Sequence, residues 1–89
     1  RYYAGVCRAL EGRTLSSGNI LSFDYREPIG IVGIIGAWNF PINMFLGKIA
    51  PAIAVGNAVI YKPAEPTPVT TMEMAKLIAE CLPPGIVNI

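Results

Sequence analysis

The stretch Gly30-Ile31-Val32-Gly33-Ile34-Ile35-Gly36-Ala37-Trp38-Asn39-Phe40-Pro41 decides the fold. Its β-branched pairs, Ile31-Val32 and Ile34-Ile35, make a run that is apolar on both faces, and this predicts a short strand of a parallel sheet. Gly36 and Asn39 interrupt the run, and Pro41 suits the first turn of a helix, where a missing N–H costs nothing. The uncharged segment from Pro28 to Gly47 is about the length of a membrane span, which needs ~20 predominantly apolar residues. Gly30, Gly33, Gly36, Asn39, Pro41 and Asn43 break it into a strand, a turn and a new helix, so no membrane partner is expected.

Toward the C-terminus, Ile42 to Val55 is apolar apart from Lys48 and predicts a helix, kinked at Pro51 and ended by Gly56-Asn57. Ala58 to Lys62 is a second apolar strand, stopped by Pro63-Ala64-Glu65-Pro66. Thr67 can then cap a helix that has Pro68 at its first position. Glu73, Lys76 and Glu80 form the polar stripe of that helix, while Met74, Ala75, Ile78, Cys81 and Leu82 cover much of the rest. Pro83-Pro84-Gly85 ends it, and Ile86 to Ile89 begins a third strand.

The order from Gly30 onward is strand, helix, strand, helix, strand. It predicts an α/β fold, the βαβαβ half of a doubly wound, Rossmann-like parallel sheet, with right-handed crossovers placing both helices on one face. Upstream, Tyr3, Val6, Cys7 and Leu10 share helical spacing over Tyr2 to Leu10, and Gly12 is the expected stop. After a turn at Ser16-Ser17-Gly18-Asn19, Leu21, Phe23 and Tyr25 alternate with Ser22, Asp24 and Arg26, the period of a strand with one apolar face. Residues 1–27 therefore read as a helix and a strand for an edge or interface, and residues 28–89 as the incomplete first half of a dinucleotide-binding domain.

Composition bounds the function. Of 89 residues, 53% are apolar and 15% charged, against about 25% charged in an average soluble domain, so there is more core than a domain this size encloses. A net charge of +1 with no basic stripe leaves no footprint for nucleic acid. Two cysteines and no histidine exclude a disulfide scaffold and the usual zinc sites, so no metal is expected and a reducing, cytoplasmic setting is the default. The chain opens on Arg1 without an initiator Met and closes on an apolar run, and both ends are expected to be cut.

Ligands of open α/β sheets bind beyond the carboxyl ends of the strands, which points to Gly36-Ala37-Trp38-Asn39 and Lys62-Pro63-Ala64-Glu65. The glycines at 30, 33 and 36 are spaced GxxGxxG, not the GxGxxG of the dinucleotide fingerprint, and Gly30 and Gly33 are expected to let helices pack closely on the strand. Taken alone, Asn39 reads as a turn residue, and Lys62 and Glu65 as a solvated loop pair. Lys48 either snorkels to the surface or works in a pocket.

Glu27-Pro28-Ile29-Gly30, Gly36-Ala37-Trp38-Asn39-Phe40-Pro41, Ala50-Pro51-Ala52, Gly56-Asn57, Lys62-Pro63-Ala64-Glu65 with Thr67-Pro68, and Pro83-Pro84-Gly85-Ile86-Val87-Asn88 together resemble the aldehyde dehydrogenase superfamily. The likeness runs from Tyr2 to the last residue, and the Gly-Ala-Trp-Asn form is similar to the betaine-aldehyde and aminoaldehyde branch. It implies an enzyme oxidising a small-molecule aldehyde to a carboxylic acid through a cysteine thiohemiacetal and thioester. It implies that Asn39 is the oxyanion-hole donor, that Lys48 belongs to a proton relay, and that Lys62 and Glu65, in Lys62-Pro63-Ala64-Glu65, hold the cofactor's adenosine ribose.

By the same resemblance Gly36, Ala37 and Trp38 line the cofactor cleft. A carboxylate at Glu65 accepts hydrogen bonds from ribose hydroxyls and repels a 2′-phosphate, which favours NAD over NADP. The strand Leu21 to Tyr25 matches the family's oligomerisation strand and implies a homodimer or homotetramer. The catalytic cysteine and the general-base glutamate fall beyond Ile89, so these residues alone are expected to be inactive. The competing expectation is a catalytically inert nucleotide-binding or structural homologue that lost its nucleophile.

Overall fold

A computed structural model describes all residues from Arg1 to Ile89. β3 (Ile31–Ile35), α2 (Pro41–Ala54), β4 (Ala58–Lys62), α3 (Pro68–Ala79) and β5 (Val87–Asn88) follow one another. The three strands form one sheet in the order β3-β4-β5, parallel throughout, with Ile31 opposite Ala58 and Ile35 opposite Lys62. This is the βαβαβ unit expected of the apolar runs. Phe45 and Ile49 of α2 and Val59 and Tyr61 of β4 form the buried core, with Met74, Ala75 and Ile78 of α3 packed against it, so both helices cover the same face. Phe45 and Tyr61 meet edge to face at 4.8 Å between ring centroids, a geometry that adds to their area burial.

The other sheet face is open in this chain, so the expected burial on both sides is met here only on the helix-covered face. Ile31, Ile35 and Ile60 are 69%, 73% and 53% exposed there, because no element of this chain crosses that face. Within this chain neither Gly30 nor Gly33 packs against a helix. A Cβ on either would meet nothing within 4 Å, and Gly30 is instead required by its φ of +113°.

Gly56 ends α2 as its position predicts. With φ +84° it donates to the Ile53 carbonyl at 2.9 Å while Asn57 N–H donates to Ala52 at 3.1 Å, the paired bonds of a Schellman motif. Asn57 is a buried polar residue whose role is structural. Its Oδ1 accepts from Gly30 N–H at 2.9 Å and its Nδ2 donates to the Ala52 carbonyl at 3.2 Å, which fastens the start of β3 to the end of α2.

Pro51 lies inside α2 without ending it. A proline cannot donate to the carbonyl four residues back, which leaves Gly47 without its helical partner. The Tyr3 hydroxyl of α1 (Tyr2–Val6) supplies the missing bond, donating to the Gly47 carbonyl at 3.2 Å. Tyr3→Phe is expected to leave that half-buried acceptor unpaired at a cost of about 1 kcal/mol, which is roughly a fivefold rise in local opening. Amide exchange across α2 in the full-length protein measures it, and unchanged exchange would remove the role.

The N-terminal part departs most from its pattern. α1 spans only Tyr2–Val6, and the chain then closes in short turns from Gly5 to Ala9 rather than continuing as helix to Leu10. Gly12 does not stop a helix; its missing Cβ makes room for the Asp24 backbone. Ser16-Ser17 belongs to a strand, β1 (Thr14–Ser17), which pairs antiparallel with β2 (Ile20–Phe23) through the two-residue turn Gly18-Asn19. Gly18 has φ +58° with Asn19 outside the left-handed region, the φ signature of a type II′ hairpin turn. The expected strand Leu21 to Tyr25 is thus the second arm of a hairpin and stops at Phe23. Every residue of both arms is exposed. No helix is long and apolar enough to cross a membrane.

Candidate active site

Two loops leave the carboxyl edge of the sheet side by side. β3 and β4 are paired through to Ile35 and Lys62, and the Gly36 N–H donates to the Lys62 carbonyl at 2.9 Å. The pairing carries Gly36-Ala37-Trp38-Asn39 alongside Lys62-Pro63-Ala64-Glu65, the two segments singled out from the sequence. Gly36, Pro63 and Ala64 are half-buried, whereas Ala37, Trp38, Asn39, Lys62 and Glu65 are exposed. Lys62 and Glu65 do not pair with each other: the ion pairs of the chain are Arg13 with Asp24 and Glu73 with Lys76. The Lys62 ammonium reaches only its neighbour's carbonyl, Pro63, at 3.5 Å.

Gly36 is fixed by packing as well as by its place in the loop. A Cβ there would overlap the hydroxyl and ring of Tyr61, which is 1% exposed. Burial also pushes the Tyr61 phenol above its ordinary pKa of 10.0 by desolvation, so it stays neutral beneath the loop.

Asn39 stands just before α2, but the N-cap position is Phe40. Asn39 lies in the bend that leads into α2, as a turn asparagine before a helix would. Asn39 also lines an open cleft of about 480 Å³ with Phe40, Pro41, Ile42, Asn43, Leu46 and Thr70. Lys48 lies two turns into α2, exposed, with its ammonium donating to the Ile35 carbonyl at 3.2 Å, so it braces the backbone from which the Gly36 loop departs. The structure therefore joins Gly36, Lys48 and Lys62 through backbone contacts and leaves Asn39 and Glu65 on the loops themselves.

Thr67 holds the N-cap position of α3 without making a side-chain cap. Its hydroxyl donates across to the Trp38 carbonyl at 3.5 Å, a contact that the sequence pattern did not reveal. Cys7 and Cys81 are free and exposed. They line an apolar groove between the helices with Tyr3, Leu46, Ile49 and Leu77. α3 runs away from the carboxyl edge, so Cys81 beyond its end lies at the opposite edge of the sheet from Asn39.

A parallel βαβαβ unit with paired loops at its carboxyl edge is the architecture of an open α/β sheet, in which ligands bind beyond the carboxyl ends of the strands. The sequence matches the aldehyde dehydrogenase family over residues 1–89. The chain belongs to that family. Among curated proteins it is similar to aldehyde dehydrogenase 1A1 of Rattus norvegicus, 52% identical over 91 residues, and to fluoroacetaldehyde dehydrogenase of Streptantibioticus cattleyicolor, 49% identical over 90 residues. Both alignments take in 100% of this chain and 18% of the relative, so the chain spans about a fifth of the length of the proteins it matches.

Solved structures agree. An aldehyde dehydrogenase of Mycobacterium tuberculosis complexed with NAD⁺ superposes with a TM-score of 0.89 at 39% identity, over 97% of this chain and 18% of that one. The glyceraldehyde-3-phosphate dehydrogenase GapN of Methanocaldococcus jannaschii complexed with NADP superposes with a TM-score of 0.91 at 37% identity, over 98% of this chain and 20% of that one.

Proposed function

We propose that the full-length protein is an NAD-dependent aldehyde dehydrogenase in which these residues hold the adenosine end of the dinucleotide and stabilise the oxyanion of the reacting aldehyde. One observation carries the reading: the hydrogen bond from Gly36 N–H to the Lys62 carbonyl, which sets the two candidate loops side by side at the carboxyl edge. The donor set there fits a dinucleotide. Glu65 offers a carboxylate that accepts from two ribose hydroxyls, Lys62 offers an ammonium that donates to them, and neither is engaged by the other. When bound, the dinucleotide supplies the two-electron acceptor for aldehyde oxidation.

The chain's own contribution to the chemistry is electrostatic. A cysteine carried elsewhere in the full-length protein adds to the aldehyde, and the Asn39 side-chain N–H donates to the oxygen on which negative charge develops. Lys48, bonded to the Ile35 carbonyl, steadies the loop that carries Asn39 and is the candidate for the family's proton relay. The exposed hairpin is the candidate subunit contact of a homodimer or homotetramer, since an exposed strand with an apolar side favours being covered. A reducing, cytoplasmic setting is the proposal from the two cysteines of the sequence, too few for a disulfide scaffold. The Gly36-Ala37-Trp38-Asn39 form is the feature that leans toward betaine-aldehyde and aminoaldehyde substrates, although the relatives described above carry other names.

Glu65→Gln tests the cofactor assignment. Removing the carboxylate's charge weakens its bonds to the ribose hydroxyls and relieves repulsion of a 2′-phosphate, so the ratio of kcat/KM for NAD over NADP should fall about tenfold, in line with the roughly 1.5 kcal/mol of a charged hydrogen bond. Steady-state kinetics of the full-length enzyme with both cofactors reads it. An unchanged ratio would take Glu65 out of the ribose site.

A further inference from the structure

We propose that Thr67 is a positioning residue that couples the dinucleotide loop to the oxyanion-donor loop. The proposal rests on the roles given above to Asn39 and to Lys62–Glu65. Thr67 sits at the N-cap of α3, where a threonine ordinarily gives its side-chain oxygen to a backbone N–H of the first turn. It makes no such cap. Its hydroxyl instead crosses to the neighbouring loop and donates to the Trp38 carbonyl at 3.5 Å, while its own N–H donates to the Ala64 carbonyl at 3.1 Å. A single residue thus grips both loops, one through the backbone and one through the side chain.

The consequence is a two-point closure. The loops are joined at their base by Gly36 N–H to Lys62 and at their far end by Thr67 to Trp38. The Trp38 carbonyl belongs to the peptide unit whose N–H is that of Asn39, so its direction fixes the plane from which the Asn39 side chain departs. The turn from Ala64 to Thr67 contains Glu65, so a ligand that engages Glu65 acts on the same rigid segment as the Thr67 hydroxyl. A separation of 3.5 Å exceeds the roughly 2.5–3.0 Å of a well-formed O–H···O bond, so the hydroxyl is within reach of the Trp38 carbonyl and the bond forms fully only when the two loops draw together. Occupation of the ribose site then shortens the tether and sets Asn39 for the aldehyde.

The test is a double-mutant cycle in the full-length enzyme with Thr67→Val, Thr67→Ser, Asn39→Ala and the combinations with Asn39→Ala. Valine keeps the shape and removes the hydroxyl, and it should lower kcat roughly fivefold, the scale of one neutral hydrogen bond. Serine keeps the hydroxyl and should retain the parent kcat. In the Asn39→Ala background the valine substitution should have no further effect, since the residue through which it acts is gone. Thr67→Ala repeats the comparison should valine prevent folding. Equal losses in both backgrounds, no loss in the parent, or a serine variant as impaired as valine would each overturn the coupling while leaving the Asn39 assignment standing. An Asn39→Ala enzyme with undiminished kcat would overturn both.

Discussion

Replacing Asn39 by alanine in the full-length enzyme is expected to lower kcat by about 10²–10³, the usual cost of removing one oxyanion donor, while dinucleotide affinity stays at its parent value. The separation follows from the geometry. Asn39 lines the cleft at the start of α2, whereas the residues proposed for the ribose are Lys62, which ends β4, and Glu65 on the loop after it, so the substitution should remove only a bond that strengthens as charge develops on the aldehyde oxygen. Asn39→Asp is a sharper form of the same prediction, because it keeps the size and puts an acceptor where a donor is needed. Dinucleotide titration and single-turnover measurements separate binding from chemistry. A kcat within twofold of the parent, which is about 0.4 kcal/mol, would take Asn39 out of the oxyanion site.

The second large effect is on stability. Gly36→Ala places a Cβ against the hydroxyl of Tyr61 and 2.6 Å from the ring carbon that bears it, closer than such atoms approach. Tyr61 has no room to yield, being 1% exposed and wedged against Phe45. Relief must come from moving the loop or opening the sheet, which costs about 3 kcal/mol in a well-packed core. Heat inactivation of the full-length enzyme should accelerate accordingly. Tyr61→Phe, which deletes the overlapping hydroxyl but leaves the ring carbon, should recover part of the loss when combined with Gly36→Ala. An inactivation half-life equal to the parent's would mean that the loop is slack and that Gly36 has no packing role.

Legibility in the sequence followed burial. β3, α2, β4 and α3 were readable because apolar residues recur at the period each element needs, and Gly56 announced the end of α2 because only a glycine takes the left-handed position there without strain. β1 was hidden because Thr14-Leu15-Ser16-Ser17 holds a single apolar residue and so carries no alternation to detect, unlike its equally exposed partner β2. The two-residue Gly18-Asn19 spacing was its only trace. α1 was overextended because Val6, Cys7 and Leu10 fit a helix that the chain leaves after Val6.

The two loops of the site were legible as residue types following strands, yet their mutual grip was not. Asn57 meets Gly30, Tyr3 meets Gly47, and Thr67 meets Trp38 across 27, 44 and 29 positions. No local pattern encodes such pairings. Pro51 comes nearest: a proline inside a helix implies an unpartnered carbonyl at Gly47, although not which donor answers it. Gly36 likewise looked like a loop glycine, and only the fold brings Tyr61 beneath it.

The proposed function makes this chain the oxyanion-donor and ribose-binding part of an aldehyde-oxidising enzyme. Its most direct measurement is the aldehyde-dependent formation of NADH by the full-length protein, followed with the carboxylic acid formed. One acid is expected for each NADH, and both signals should fall about 10²–10³-fold in the Asn39→Ala variant. A full-length protein that binds NAD yet forms no NADH across aliphatic, aromatic and amino-aldehydes would contradict it and mark the chain as part of an inert nucleotide-binding homologue.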